Sequence, residues 1–258
     1  MTVSPTEART RDVAAYALRL GDDALILSQR LCAWVTKAPT IEEDLALSNI
    51  ALDLLGHART LLACSGERDG TGRSDDDLAY GRTERHFRNA LLVELDNGDF
   101  AVTIARQLVY ARYSMLLCTA LAEAGDATLA GFGARAAKEV EYHWMHASQW
   151  TVRLGRGTAE SHRRMQAGLD RVWPYAGELF ETDELVERLD ADGTAVAPAR
   201  LRADWEHAVA GVLAEAGLTV PKPSWQASGG RSGLHTEAFG PLLAELQSVR
   251  RQYPGGTW

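Results

Sequence analysis

From Val13 onward, apolar or small residues recur at steps of three and four: Val13, Ala17, Leu20, Ala24, Leu27, Leu31 and Trp34. That spacing puts them on one face of an α-helix and nowhere else in the usual repertoire. Ala38-Pro39 ends this run, and Thr40 opens a second helix with Glu42 and Glu43 in its first turn and Leu47, Ile50, Leu54, His57 and Leu61 on one stripe. After the polar stretch Ser65 to Asp77 and a short helix expected over about 76–92, Asp96-Asn97-Gly98 turns into a third stripe: Ile104, Leu108, Ala111, Met115 and Cys118. Gly125-Asp126 closes it, and a fourth runs over about 127–154 with Leu129, Phe132, Ala136, Val140, His143, Ala147 and Trp150 in register. No β-type alternation of comparable length appears. The class is therefore all-α, and four helices of ~25 residues, each with one apolar face, make a four-helix bundle.

Further helices are expected over about 159–180, 198–216 and 236–253, packed on the bundle. No linker among them is long or polar enough to mark a second domain, so the chain reads as a single domain over 1–258, with a core bundle over about 12–155 and peripheral helices over about 158–253. Of the 258 residues 46% are hydrophobic, enough to bury such a core. The net charge of −8 and the lack of a basic stripe exclude a phosphate backbone as a natural partner. Cys32, Cys64 and Cys118 are dispersed among apolar residues and read as buried, reduced thiols. With a polar opening MTVSPTEARTRD and no apolar run of membrane length, this points to the cytoplasm.

Two segments share a pattern of acid, apolar, two residues, histidine: Asp53 to His57 and Glu139 to His143. They suggest two related helical hairpins. Bundles that hold a pair of iron or manganese ions take a Glu from each of two helices and a Glu-x-x-His from each of the others. Here the histidines stand in the second and fourth helices, but Leu54 and Val140 occupy the positions three residues before them. The third helix has no Asp or Glu between Phe100 and Ala122, and the first offers Asp22 and Asp23 beside Ala24 on its stripe. Two readings of Asp53 and Glu139 follow. Each orients a buried imidazole one turn away, the plainer account; or Asp53, His57, Glu139 and His143 together make a self-sufficient metal site.

His146 is expected on the solvated side. Asp204-x-x-His207 stands alone in a peripheral helix, and His86, His162 and His235 have no constellation around them. Arg153, Arg156, Arg163 and Arg164 read as a solvated helix end or, alternatively, a contact for a phosphorylated ligand or acidic surface. No phosphate-cradling or nucleophile-elbow motif is present, and the glycines of Ser228 to Gly240 read as a loop.

The stretches LGDDALILSQRL, IALDLLGHAR, ERHFRNALLVELDNGDFAVTIARQ, KEVEYH, GLHTEAFGPLLAELQ and the closing PGGTW resemble the PaaC family, the structural components of the bacterial ring-1,2-phenylacetyl-CoA epoxidase, along nearly the whole chain. The resemblance implies a ferritin-like fold in a multicomponent monooxygenase of aerobic phenylacetate catabolism. In that assembly a paralogous A subunit holds the di-iron site and epoxidises phenylacetyl-CoA with O₂. A separate reductase brings electrons from NADPH, and small accessory subunits stand alongside. It further implies that this chain is the structural partner, binding no cofactor of its own, with the acyl-CoA held mainly by the A subunit. In that alignment the ligand carboxylates are lost at Ala24, Leu54 and Val140. The remnants are Asp23, Asp53, His57, Glu139 and His143: a vestigial site with no catalytic residue and no metal.

Overall fold

A computed structural model describes residues 4–256. Eleven α-helices run in order: α1 (Pro5–Cys32), α2 (Ile41–Arg68), α3 (Asp75–Tyr80), α4 (Leu91–Glu94), α5 (Phe100–Leu121), α6 (Ala127–Arg156), α7 (Ala159–Val172), α8 (Glu184–Ala191), α9 (Arg202–Ala216), α10 (Phe239–Leu246) and α11 (Ser248–Gln252). Short 3-10 turns lie between several of them, and the described residues contain no strand. The all-α class is as expected. The chain forms two compact units, one made of residues 1–96 with 229–258 and one of residues 97–228.

In the first unit α1 and α2 pair along their lengths as an antiparallel hairpin. Gly21 lies against Leu61 and Leu62, and two to three turns further on Ser28 Oγ donates to the Ala51 carbonyl at 2.7 Å. Each helix starts on a side-chain cap: Ser4 and Glu7 form a reciprocal capping box, and the Thr40 hydroxyl accepts from Glu43 N. The second unit repeats the scheme with α5 and α6, capped by Asp99 and Asp126. Gly133 makes their close approach feasible, since a Cβ there would come within 2.6 Å of the Cys118 carbonyl and the Ala122 amide. Helices α2 and α6 begin 86 residues apart, the same offset as His57 and His143, so the repeat seen in two pentapeptides extends to the start of the helices that carry them.

Several sequence expectations are corrected. The first helix starts at Pro5, because Ser4 and Glu7 cap it ahead of the apolar stripe. The stretch expected as one helix over 76–92 is helical only at α3 and α4; between them a 3-10 turn (Glu84–His86) and extended residues bring the amides of Arg88 and Ala90 onto carboxylates of α1. The helix expected over 159–180 ends at Val172 and continues as two 3-10 turns through Trp173-Pro174. Helix α8, not anticipated, is capped by Asp183. Cys64 and Cys118 are buried, but Cys32 is exposed, because the buried stripe of α1 ends on Leu31 at the helix terminus. Met1 to Val3 of the opening segment, and Thr257 and Trp258 of the closing PGGTW, lie outside the described residues.

Candidate metal centre and a buried ionic cluster

In the first unit the inner face of α2 carries His57 and Leu54, both buried, with Asp53 half-buried one turn ahead of the histidine. In the second unit α6 buries His143 and Val140 in the same relation, with Glu139 half-buried. His146 is buried too, against the expectation of a solvated side chain; it lies on the flank of the inner stripe beside Ala147, with its ring 6.2 Å from Tyr142. Leu54 and Val140, three residues ahead of these histidines, are hydrocarbon side chains without a lone pair to give. Among the described residues no three of His, Cys, Asp and Glu gather as a metal ion requires. Asp204 and His207 are both exposed on α9.

Ala24 is buried on α1, and the two acids before it are also fully buried. Asp22 accepts from both terminal guanidinium nitrogens of Arg82, at 2.9 Å from Nη1 and closer from Nη2, and from the Arg88 amide at 2.8 Å. Asp23 accepts from Arg231 Nη1 and Nη2 at 2.9 and 2.7 Å, and from the Ala90 amide at 2.7 Å. Burial pushes the Asp23 carboxyl above its ordinary range; Arg231 and the Ala90 N–H pull it back, and Asp22 adds repulsion. Both oxygens of this carboxylate are engaged by the bidentate guanidinium, and Oδ1 by the amide as well. Asp23 is therefore an anchor of the tail of this unit.

A third buried acid completes the cluster. Glu94 accepts from His235 Nδ1 at 2.8 Å, from Asn89 Nδ2 at 2.8 Å and from the Thr236 amide at 2.5 Å. His235 stacks on Phe239 with ring centroids 4.0 Å apart, so the residue without an apparent constellation is among the most enclosed side chains of the first unit. Arg30 binds the carbonyls of Glu94 and Ala238. The sequence carries one signal for these contacts, which is an acid set inside an apolar run, in LGDDALIL and in LLVEL. Such acids need buried partners.

The basic group of the second unit is dispersed. Arg163 and Arg164 both bind Glu160, whose carboxyl they hold down at about 2. Arg156 donates to the Glu215 carbonyl, and Arg153 lies over the Trp150 ring at 4.6 Å. Cys118 has its thiol pushed up to about 12, first by burial, so it offers no thiolate for chemistry.

What the geometry offers is two hairpins that each bury a histidine one turn beyond a buried apolar residue, and a tail stapled to the first hairpin by two buried acids. Against this background a sequence profile described as phenylacetic acid catabolic protein matches residues 1–258. The chain belongs to this family. Its kinship is close: the C component of 1,2-phenylacetyl-CoA epoxidase from Escherichia coli (strain K12) is 47% identical over 246 residues, covering 95% of this chain and 99% of that protein. The ferritin-like, all-α fold implied by the resemblance is the fold this chain has.

Proposed function

We propose that this chain is the non-catalytic structural subunit of a cytoplasmic 1,2-phenylacetyl-CoA epoxidase, paired with the di-iron A subunit that binds the acyl-CoA and receives electrons from an NADPH-dependent reductase. The observation that carries the reading is the pair Leu54 and Val140. Each is buried, one turn ahead of a buried histidine, where an iron-holding helix would present a glutamate. Asp23, the nearest acid of α1, supports it by spending both oxygens on Arg231. His57 and His143 then serve packing and orientation of their own helices. The likeness to one component of a multi-subunit epoxidase adds that partner subunits exist for such a chain.

The test is elemental analysis of the chain expressed alone in iron-rich medium, beside epoxidation assays of the A subunit with and without it. The reading expects iron, zinc and manganese near zero per chain, and an A subunit that is less soluble or less active alone. One or two metals per chain, lost in His57→Ala or His143→Ala, would instead establish the site built from Asp53, His57, Glu139 and His143.

A further inference from the structure

Helix α2 carries two opposite stripes. The inner one holds Leu47, Ile50, Leu54, His57 and Leu61. On the outer side Ile41, Leu45 and Leu52 stand 78%, 61% and 64% exposed, the largest block of exposed apolar side chains on any helix of the described chain. With Ser48, Leu55 and Arg59 they occupy positions 41, 45, 48, 52, 55 and 59, alternating steps of four and three. That alternation keeps the three exposed apolar side chains in one line along the helix, a geometry that a facing helix can meet along its length.

Three further observations bear on what meets it. Gly56 lies beside Leu52 on the seam, in the interior of a 28-residue helix, exposed, and a Cβ built there meets nothing within 4 Å. Glycine destabilises a helix interior relative to alanine. Among the described residues nothing uses the space it leaves, whereas a second helix backbone approaching the seam would. Next, the far end of the seam opens into a cavity of about 110 Å³, where Leu55 and Arg59 face Asp75, Asp76 and Tyr80. It is a hole of side-chain size at the register where a knob from a facing helix would fall. Finally, the edges are acidic: Glu42 and Asp53 flank the apolar line and Asp76 rims the cavity, where Arg59, the single base on the line, pairs with Asp75 at 3.5 Å. Two copies of this chain would bring those acids onto one seam.

We propose that the outer face of α2 is the docking seam for one helix of another subunit of the complex, apolar at alternating steps of three and four and bordered by lysine or arginine. This rests on the subunit reading above, and names the surface that reading leaves open.

The probe is the catalytic A subunit of the same complex, co-expressed with the full chain or titrated against it. Leu45→Asp/Leu52→Asp is expected to weaken A-subunit binding by about 100-fold or more, as for loss of central apolar anchors. Helical circular dichroism of the lone chain should stay unchanged and its melting temperature fall only slightly, because both side chains are exposed and only the lower helix propensity of Asp is felt. Gly56→Leu separates the roles further: it should raise the melting temperature of the lone chain and weaken binding, two movements that a merely local helix effect would not combine. Raising salt should weaken the wild-type complex. Unchanged affinity in both folded variants overturns the seam and leaves the subunit reading standing. A wild-type chain with no affinity for the A subunit overturns both. A lone chain that dimerises, with the dimer lost in Leu45→Asp/Leu52→Asp, overturns the heteromeric occupant in favour of a second copy.

Discussion

His235 places Nδ1 2.8 Å from Glu94 Oε2 across 141 residues of chain, with both side chains wholly buried. Since the carboxylate accepts, this ring nitrogen carries the proton. Asn89 and Thr236 donate to the same carboxylate, so one buried acid satisfies three donors. Glu94→Ala strands all three and should destabilise the chain by about 3–5 kcal/mol. Glu94→Gln keeps one acceptor oxygen and should cost less than half as much. Thermal melting of both variants reads the difference; equal losses would show that shape alone matters there.

Arg231 stands toward Asp23 as His235 does toward Glu94, and this pair titrates. The Asp23 carboxyl is raised above its ordinary value of 3.8, burial being the largest cause. The folded state therefore holds this proton more tightly than the unfolded one. The stabilisation so gained is complete below pH 3.8 and is lost as pH rises through the raised folded value. Arg231→Met removes the group that opposes the rise. Its melting temperature should fall more steeply between pH 4 and 7 than that of the wild type, and Asp23→Leu/Arg231→Met should abolish the extra slope. A variant parallel to the wild type across this range would mean that Asp23 does not depend on Arg231.

The hairpins were legible because burial of a long helix writes a 3.6-residue period into the chain: the stripe from Leu47 to Leu61 and the one from Leu129 to Ala147 are buried as the spacing required. The burial of Leu54 and Val140 was legible for the same reason, since both fall on those stripes. The ionic cluster was not. Arg82 and Arg231 look like ordinary surface bases in sequence, and their acids lie 60 and 208 residues away. The segment from Gly81 to Ala90 departs from helix because its amides serve Asp22 and Asp23, a tertiary demand that overrides local propensity. Helix α8 was missed because eight residues with Leu185, Val186 and Leu189 buried are too short to show a period.

The three cysteines should separate by reactivity. Cys32 is exposed at the end of α1, whereas Cys64 and Cys118 are buried. With its thiol raised to about 12, Cys118 carries almost no thiolate at pH 8. A disulfide reagent at pH 8 should therefore modify one thiol per native chain quickly and all three in denaturant. Cys32→Ser should remove the fast phase entirely. Two fast thiols would place one of the buried cysteines within reach of local opening.

The half-site on α2 gives the last expectation. Leu54→Glu restores the acid one turn ahead of His57 but sets it where Leu54 is now buried. An ionised carboxylate there lacks water, so its pKa rises and the protonated form is favoured. The variant should be destabilised by several kcal/mol at pH 7 and recover as pH falls toward the ordinary glutamate value of about 4.3. Leu54→Gln, of the same shape without the charge, should lose stability with little pH dependence. If ferrous iron raises the melting temperature of Leu54→Glu and leaves Leu54→Gln and the wild type unmoved, His57 still faces a place where a metal can sit. If iron moves none of the three, a carboxylate at position 54 beside His57 does not by itself make a place for a metal.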